Sequence, residues 1–116
     1  QTYYNLGNAY HNLGQTTKSI EMNEKSIQLN PVYIEALNNL AADYAETNNI
    51  DAAIRLWNKC LEINPDFTVA HFNLSVFYFL RKEYALALEH CDQLRALGAQ
   101  VDARFLEELK PFRNKK

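Results

Sequence analysis

Thirty-four residues after Asn30-Pro31 the chain writes Asn64-Pro65, and the same interval carries Leu6 to Leu40 to Leu74, Tyr10 to Tyr44 to Tyr78 and Asn5 to Asn39 to Asn73. A recurrence of this length constrains the fold more than composition does. Each copy is long enough for two helices and too short to enclose a core of its own, so the copies must bury their apolar faces against one another.

Within a copy the apolar residues keep helical spacing. Tyr3, Leu6, Gly7 and Tyr10 fall at i, i+3, i+4 and i+7, with Leu13 continuing the same side. Gly14 supplies a turn, and a second helix is predicted from about Thr17 to Leu29, with Ile20, Ile27 and Leu29 inward and Thr16 or Thr17 as its cap. Pro31 disfavours helical geometry at Asn30 and ends that helix. In the second copy Leu37, Leu40, Ala41 and Tyr44 line the first helix, and Ala53, Ile54, Trp57, Cys60, Leu61 and Ile63 line the second. Asn48-Asn49 makes the turn between them, because asparagine tolerates left-handed backbone.

The third copy places Ala70, Leu74, Ser75 and Tyr78, then Tyr84, Ala87, Leu88, Cys91 and Leu94, and ends at Gly98 in place of a proline. A last short helix, about Asp102 to Lys110, has Asp102 as its cap and Phe105, Leu106 and Leu109 on one side. That is the form of a lid over the open end of a stack. The boundaries expected are repeats at about 1–33, 34–67 and 68–101, a capping helix at about 102–110 and a basic tail at 111–116, all in one domain.

Composition serves mainly to exclude. Three glycines and three prolines in 116 residues leave few turns, which suits helices joined tightly. A net charge of −2 gives no general pull on phosphate backbones, and the terminal Arg-Asn-Lys-Lys reads as a solvated tail, so no nucleic-acid partner is expected. No apolar run is long enough to cross a bilayer and nothing at the amino end reads as a signal peptide. Membrane insertion is therefore not expected. Cys60 and Cys91 fall on apolar faces without metal-ligand spacing, so they are expected as buried free thiols in a reducing, cytoplasmic setting. The sequence starts without methionine inside a helical pattern, which reads as a segment of a longer protein.

Catalysis finds no foothold. His11, His71 and His90 stand at different places in different copies and are expected as core or surface residues. There is no glycine-rich phosphate loop, paired-cysteine motif or nucleophile with a recognisable base. No enzyme activity, cofactor or metal is expected.

These residues resemble the tetratricopeptide repeat, a family of 34-residue helix pairs with small residues at fixed contacts and a proline near the end. Its leucine-small pair is matched by Leu6-Gly7, Leu40-Ala41 and Leu74-Ser75, its tyrosine by Tyr10, Tyr44 and Tyr78, its early second-helix alanine by Ser19, Ala53 and Ala87, and its proline by Pro31 and Pro65. The match covers about residues 1 to 99. Asn23 and Thr16 depart from the family's apolar places, so the first pair should pack less firmly than the second; Asp43 takes an alanine-like place, with Phe77 equivalent to it. The fold implied is all-α, an α-solenoid winding as a right-handed superhelix of three repeats and a capping helix.

The resemblance implies a concave groove lined by the first helices, and a protein–protein interaction module that takes a peptide or helix of a partner. Helical spacing puts Tyr4, Asn5, Asn8 and His11, then Glu35, Asn38, Asn39, Ala42 and Glu46, then Val69, Phe72, Asn73, Val76 and Phe79 on that face. The ladder Asn5, Asn39 and Asn73 offers carboxamides that either hold a peptide backbone or keep the repeats in register. Phe72, Val76 and Phe79 make their helix apolar nearly all round, so the lid, a second copy or a partner should cover them. Family members that clamp acidic chaperone tails use two asparagines with lysines and arginine. Here Asn8 and Asn39 stand at the asparagine places while Tyr4, Val69 and Asn73 replace the cations, which argues against that ligand. Other readings are a substrate-recruiting arm of a larger enzyme such as a glycosyltransferase, or a scaffold that self-assembles through its uncapped first repeat.

Overall fold

The structure is a computed structural model that describes residues 2–113. Among them run seven α-helices and no strand: α1 Thr2–Asn12, α2 Thr16–Leu29, α3 Ile34–Glu46, α4 Ile50–Ile63, α5 Thr68–Leu80, α6 Tyr84–Ala96 and α7 Ala103–Leu109, followed by a 3-10 turn at Lys110–Phe112. No helix is long and apolar enough to cross a membrane.

One backbone device makes all three hairpins. Gly14, Asn48 and Lys82, 34 residues apart, adopt left-handed φ of 77°, 65° and 65°. The next amide then turns back: Gln15 N–H donates to the Tyr10 carbonyl at 2.9 Å, Asn49 N–H to Tyr44 at 2.7 Å and Glu83 N–H to Tyr78 at 2.8 Å. Glycine takes this geometry freely and asparagine nearly so, whereas lysine holds it at a cost of about 1–2 kcal/mol. The second helices of the first two copies also stop alike, with Asn30 and Asn64 extended and their amides donating to Ser26 and Cys60.

The described residues form two compact units, α1–α4 within Gln1–Pro65 and α5–α7 within Asp66–Lys116. In the first unit α2 packs between α1 and α3, and α3 pairs with α4. In the second hairpin Leu37, Leu40, Ala41, Ala53, Ile54, Trp57 and Cys60 are buried as expected, whereas Ile63, read as inward, is exposed where the helix ends. The first departs further. Leu6, Leu13 and Leu29, read as inward, are exposed, and the buried side of α2 is instead Ser19, Asn23 and Ser26. Leu40 lies among Ile27, Leu37 and Leu56 and is 5% exposed, whereas Leu6, at the same place in α1, is 41% exposed because no helix precedes α1 among the described residues. The cap of α2 also differs: it is Gln15, with no side-chain bond, and Thr16 is the first helical residue.

In the second unit α7 closes over α6 as a lid. Leu109 joins Ala87, Leu88 and Cys91 in a buried cluster, flanked by Tyr78, Phe79, Tyr84, Val101, Phe105, Leu106 and Phe112. Asp102 caps α7 by accepting the Arg104 amide at 2.8 Å. The chain beyond Lys110, expected as tail, first packs down: Phe112 stacks on Tyr84 with centroids 3.7 Å apart, and Arg113 holds Asp92 with two bonds of 3.1 Å. The rest of the basic tail, 114–116, lies outside the described residues.

Candidate functional site

Several of the groove residues expected on α1 and α3 are engaged within the fold. Tyr4 tilts against Tyr33 with ring centroids 5.1 Å apart, and Asn39 Nδ2 donates to Asn8 Oδ1 at 2.6 Å, tying α3 to α1. Asn38 Oδ1 accepts the Trp57 indole N–H at 2.9 Å. Asn5 is exposed and Ala42 half-buried. A carboxamide already bonded across two helices has less to offer a ligand, so Asn39 supports the register reading of the ladder.

Beside this pair sits a polar cluster that sequence reasoning missed. Asp43, fully buried on α3, accepts the Ser19 hydroxyl of α2 at 2.5 Å on Oδ2 and faces His11 Nδ1 of α1 at 2.9 Å on Oδ1. A buried carboxylate survives only with both oxygens satisfied, and here two helices supply the partners. The one signal in the sequence was a charge at a place held by Ala9 and Phe77 in the other copies. Glu46, a turn later, brings Oε1 within 3.8 Å of His11 Nε2. His11, Asp43 and Glu46 offer ligand atoms all within 4.8 Å of one another, close enough to hold a metal ion.

The second unit carries the apolar surface. α5 reads Thr-Val-Ala-His-Phe-Asn-Leu-Ser-Val-Phe-Tyr-Phe-Leu, apolar on nearly every side, and α7 settles part of its exposure. Phe79 packs edge-on against Phe105 and Tyr84 at 5.3 and 5.6 Å. Val76 and Asn73 are half-buried. Phe72 and Val69, one turn apart at the start of the same helix, remain 56% and 44% exposed. They edge a cleft of about 240 Å³ completed by Thr68, Leu94, Ala99 and Gln100. The cleft exists because Gly98, at φ 87°, swings the chain back after α6, with the Ala99 amide donating to Leu94. It has no charged lining, so it suits an apolar side chain. A wider cleft of about 510 Å³ on the first unit, between α3 and α4, has Arg55 and Lys59 on its rim but no phenylalanine, tryptophan or histidine.

The two cysteines are buried free thiols. Burial pushes the Cys60 thiol up to about 11, and its S–H points to the Ile34 carbonyl at 3.8 Å. Cys91 is raised too, first by burial and then by Asp92. Neither thiol is a ready nucleophile. His71 Nδ1 and His90 Nδ1 lie 2.9 Å apart, with Tyr78 stacked on the His90 ring at 5.8 Å. Burial, and then His71, lower the His90 pKa.

Comparison with known proteins follows the same lines. The tetratricopeptide repeat model matches residues 1–33 and 34–67, more than half of the chain. No curated protein matches. Among solved structures, MamA aligns with a TM-score of 0.80 at 25% identity over 83% of this chain, which spans 56% of the MamA chain. The first TPR of Spaghetti (RPAP3), bound to HSP90 peptide SRMEEVD, aligns with a TM-score of 0.82 at 18% identity over 95% of this chain and 86% of its own. The Sgt2 TPR domain from Aspergillus fumigatus aligns at 0.81 and 22% over 96% and 76%.

Proposed function

The chain belongs to the tetratricopeptide repeat family, and from that premise we propose that it is a protein-interaction module holding an extended peptide or a helix of a partner protein by an apolar anchor at Phe72 and Val69. The observation that carries this reading is an exposed phenylalanine beside an uncharged cleft, on a helix whose other phenylalanines and tyrosine are all partly buried. Fully burying a Phe or Val side chain is worth about 1.5–3 kcal/mol, and these two are already half-buried, so the anchor supplies roughly 2–3 kcal/mol. That is small against association costs of about 4 kcal/mol or more, so polar contacts must add to it. We assign part of them to Asn73, the neighbouring residue on α5.

An acidic tail such as the SRMEEVD peptide seen with the first TPR of Spaghetti does not suit this chain. Asn8 and Asn39 are bonded to each other, and Tyr4, Val69 and Asn73 put no cation beside a carboxylate. The partner's contacting segment is instead apolar. We assign the module no catalysis of its own and infer a cytoplasmic setting, with protein rather than nucleic acid as its ligand.

Affinity capture from the source lysate tests this, comparing wild type with Phe72→Glu. The variant should lose the captured partner while its helical circular dichroism stays unchanged. Equal capture by both would remove Phe72 from the binding surface.

A further inference from the structure

We propose that His11 and Glu46 are the protein ligands of a divalent transition-metal ion of the zinc type, with Asp43 as the positioning residue behind His11. A carboxylate oxygen is acceptor-only, so the proton between Asp43 Oδ1 and His11 Nδ1, 2.9 Å apart, belongs to the imidazole. In the neutral ring that choice puts the lone pair on Nε2. Nε2 faces Glu46 Oε1 at 3.8 Å, and this oxygen is an acceptor as well. At 3.8 Å the two atoms are too far apart to hydrogen-bond, and a cation set between them takes a lone pair from each, displacing the Nε2 proton where the ring is protonated.

The spacing suits a metal. Ligands bonded at 2.0–2.1 Å around a tetrahedral ion stand about 3.3 Å apart, which a small turn of the exposed Glu46 side chain reaches. Both ligands are open to solvent, whereas Asp43 is sealed in and fixed by Ser19. This is the carboxylate–histidine–metal arrangement, in which the hidden carboxylate sets the tautomer and raises the basicity of the ring. One imidazole and one carboxylate select zinc, nickel or copper over calcium and magnesium, which take oxygen ligands only. Water fills the remaining positions. The ion joins the last turns of α1 and α3, so it fastens the first hairpin to the second. It lies in the first unit, uses neither Phe72 nor Val69 as a ligand, and stands or falls apart from the peptide-docking reading.

Isothermal titration of the untagged chain with zinc sulfate tests it, alongside His11→Ala, Glu46→Gln and Asp43→Asn. Wild type should bind one ion at this site. His11→Ala and Glu46→Gln should each weaken it at least about tenfold, and Asp43→Asn by about 10–100-fold, the usual effect of losing a carboxylate behind a ligating histidine. Glu46 is exposed, so its variant keeps the fold, and helical circular dichroism checks this for all three. Absence of zinc binding by the wild type overturns the proposal. So does an isotherm that survives intact in Glu46→Gln or His11→Ala, which would put the ion elsewhere, the His71–His90 pair being one such place.

Discussion

The first and second hairpins share their turn, their register and their helix lengths to within two residues, yet they are filled with different chemistry. At four places 34 residues apart the first has Gly7, Ser19, Asn23 and Ser26 where the second has Ala41, Ala53, Trp57 and Cys60, all eight buried. The geometry of the repeat therefore does not depend on what fills it. Small residues at the helix contact and a left-handed residue at the turn suffice to set it. Stability should not be shared so evenly, since Trp57 is fully buried with its indole N–H bonded to Asn38, while buried Asn23 leaves Oδ1 without a hydrogen-bond partner.

The sharpest way to break this comparison is to truncate the two equivalent residues. Trp57→Ala should cost about 3–5 kcal/mol, enough to unfold a marginal unit. Asn23→Ala should cost no more than about 1 kcal/mol, because it removes an unsatisfied buried oxygen along with a weak bond. Urea denaturation followed by circular dichroism reads both. Similar losses would mean that the polar hairpin is as tightly built as the apolar one.

That contrast also marks how far the sequence could be read. The period, the turns at Gly14 and Asn48, the cap at Asp102 and the lid residues Phe105, Leu106 and Leu109 were legible, because each depends on local backbone geometry or on residues one turn apart, whereas the turn at Lys82 carries no turn-forming residue and was not read. Burial in the first hairpin was not. Leu6 and Leu40 are the same residue in the same place, and only the presence of a helix outside α3 separates them. On α5, Phe72 and Phe79 were equally apolar candidates, and the position of α7 alone decides that one is covered. The Asp43 cluster was hidden for a related reason: its partners lie 24 and 32 residues away in sequence.

The third hairpin extends the comparison, since His71 stands where the second has Leu37. It is buried against His90, whose pKa is lowered by burial and by His71 and partly restored by Glu89, and whose ring stacks with Tyr78. A histidine whose folded pKa is below its unfolded value near 6.5 favours the fold while neutral. The unfolded chain then binds the proton first, so stability falls as pH drops through that range and stops falling only below the folded value. Melting temperature measured across pH 7 to 5 should decline in wild type and decline less in His90→Phe. Parallel curves would show that His90 titrates alike in both states.

The smallest expected effect bears most directly on why the first hairpin is polar. A Cβ added at Gly7 would sit 2.8 Å from Asn23 Nδ2 and 2.9 Å from Oδ1. Asn23 is short and its Nδ2 already donates to the Ser19 carbonyl at 3.1 Å, so it has to give up that bond to move. Gly7→Ala alone gains about 1 kcal/mol of helix propensity and loses about as much from the displaced asparagine, and should leave stability near the wild-type value. In the Asn23→Ala background the obstruction is gone and the full gain of about 1 kcal/mol should appear. A double-mutant cycle by urea denaturation therefore reads a coupling on the order of 1 kcal/mol. Additive effects would mean that the asparagine is not what requires glycine here, and that the close approach of α1 to α2 is set by the turn at Gly14 rather than by the residues between the helices.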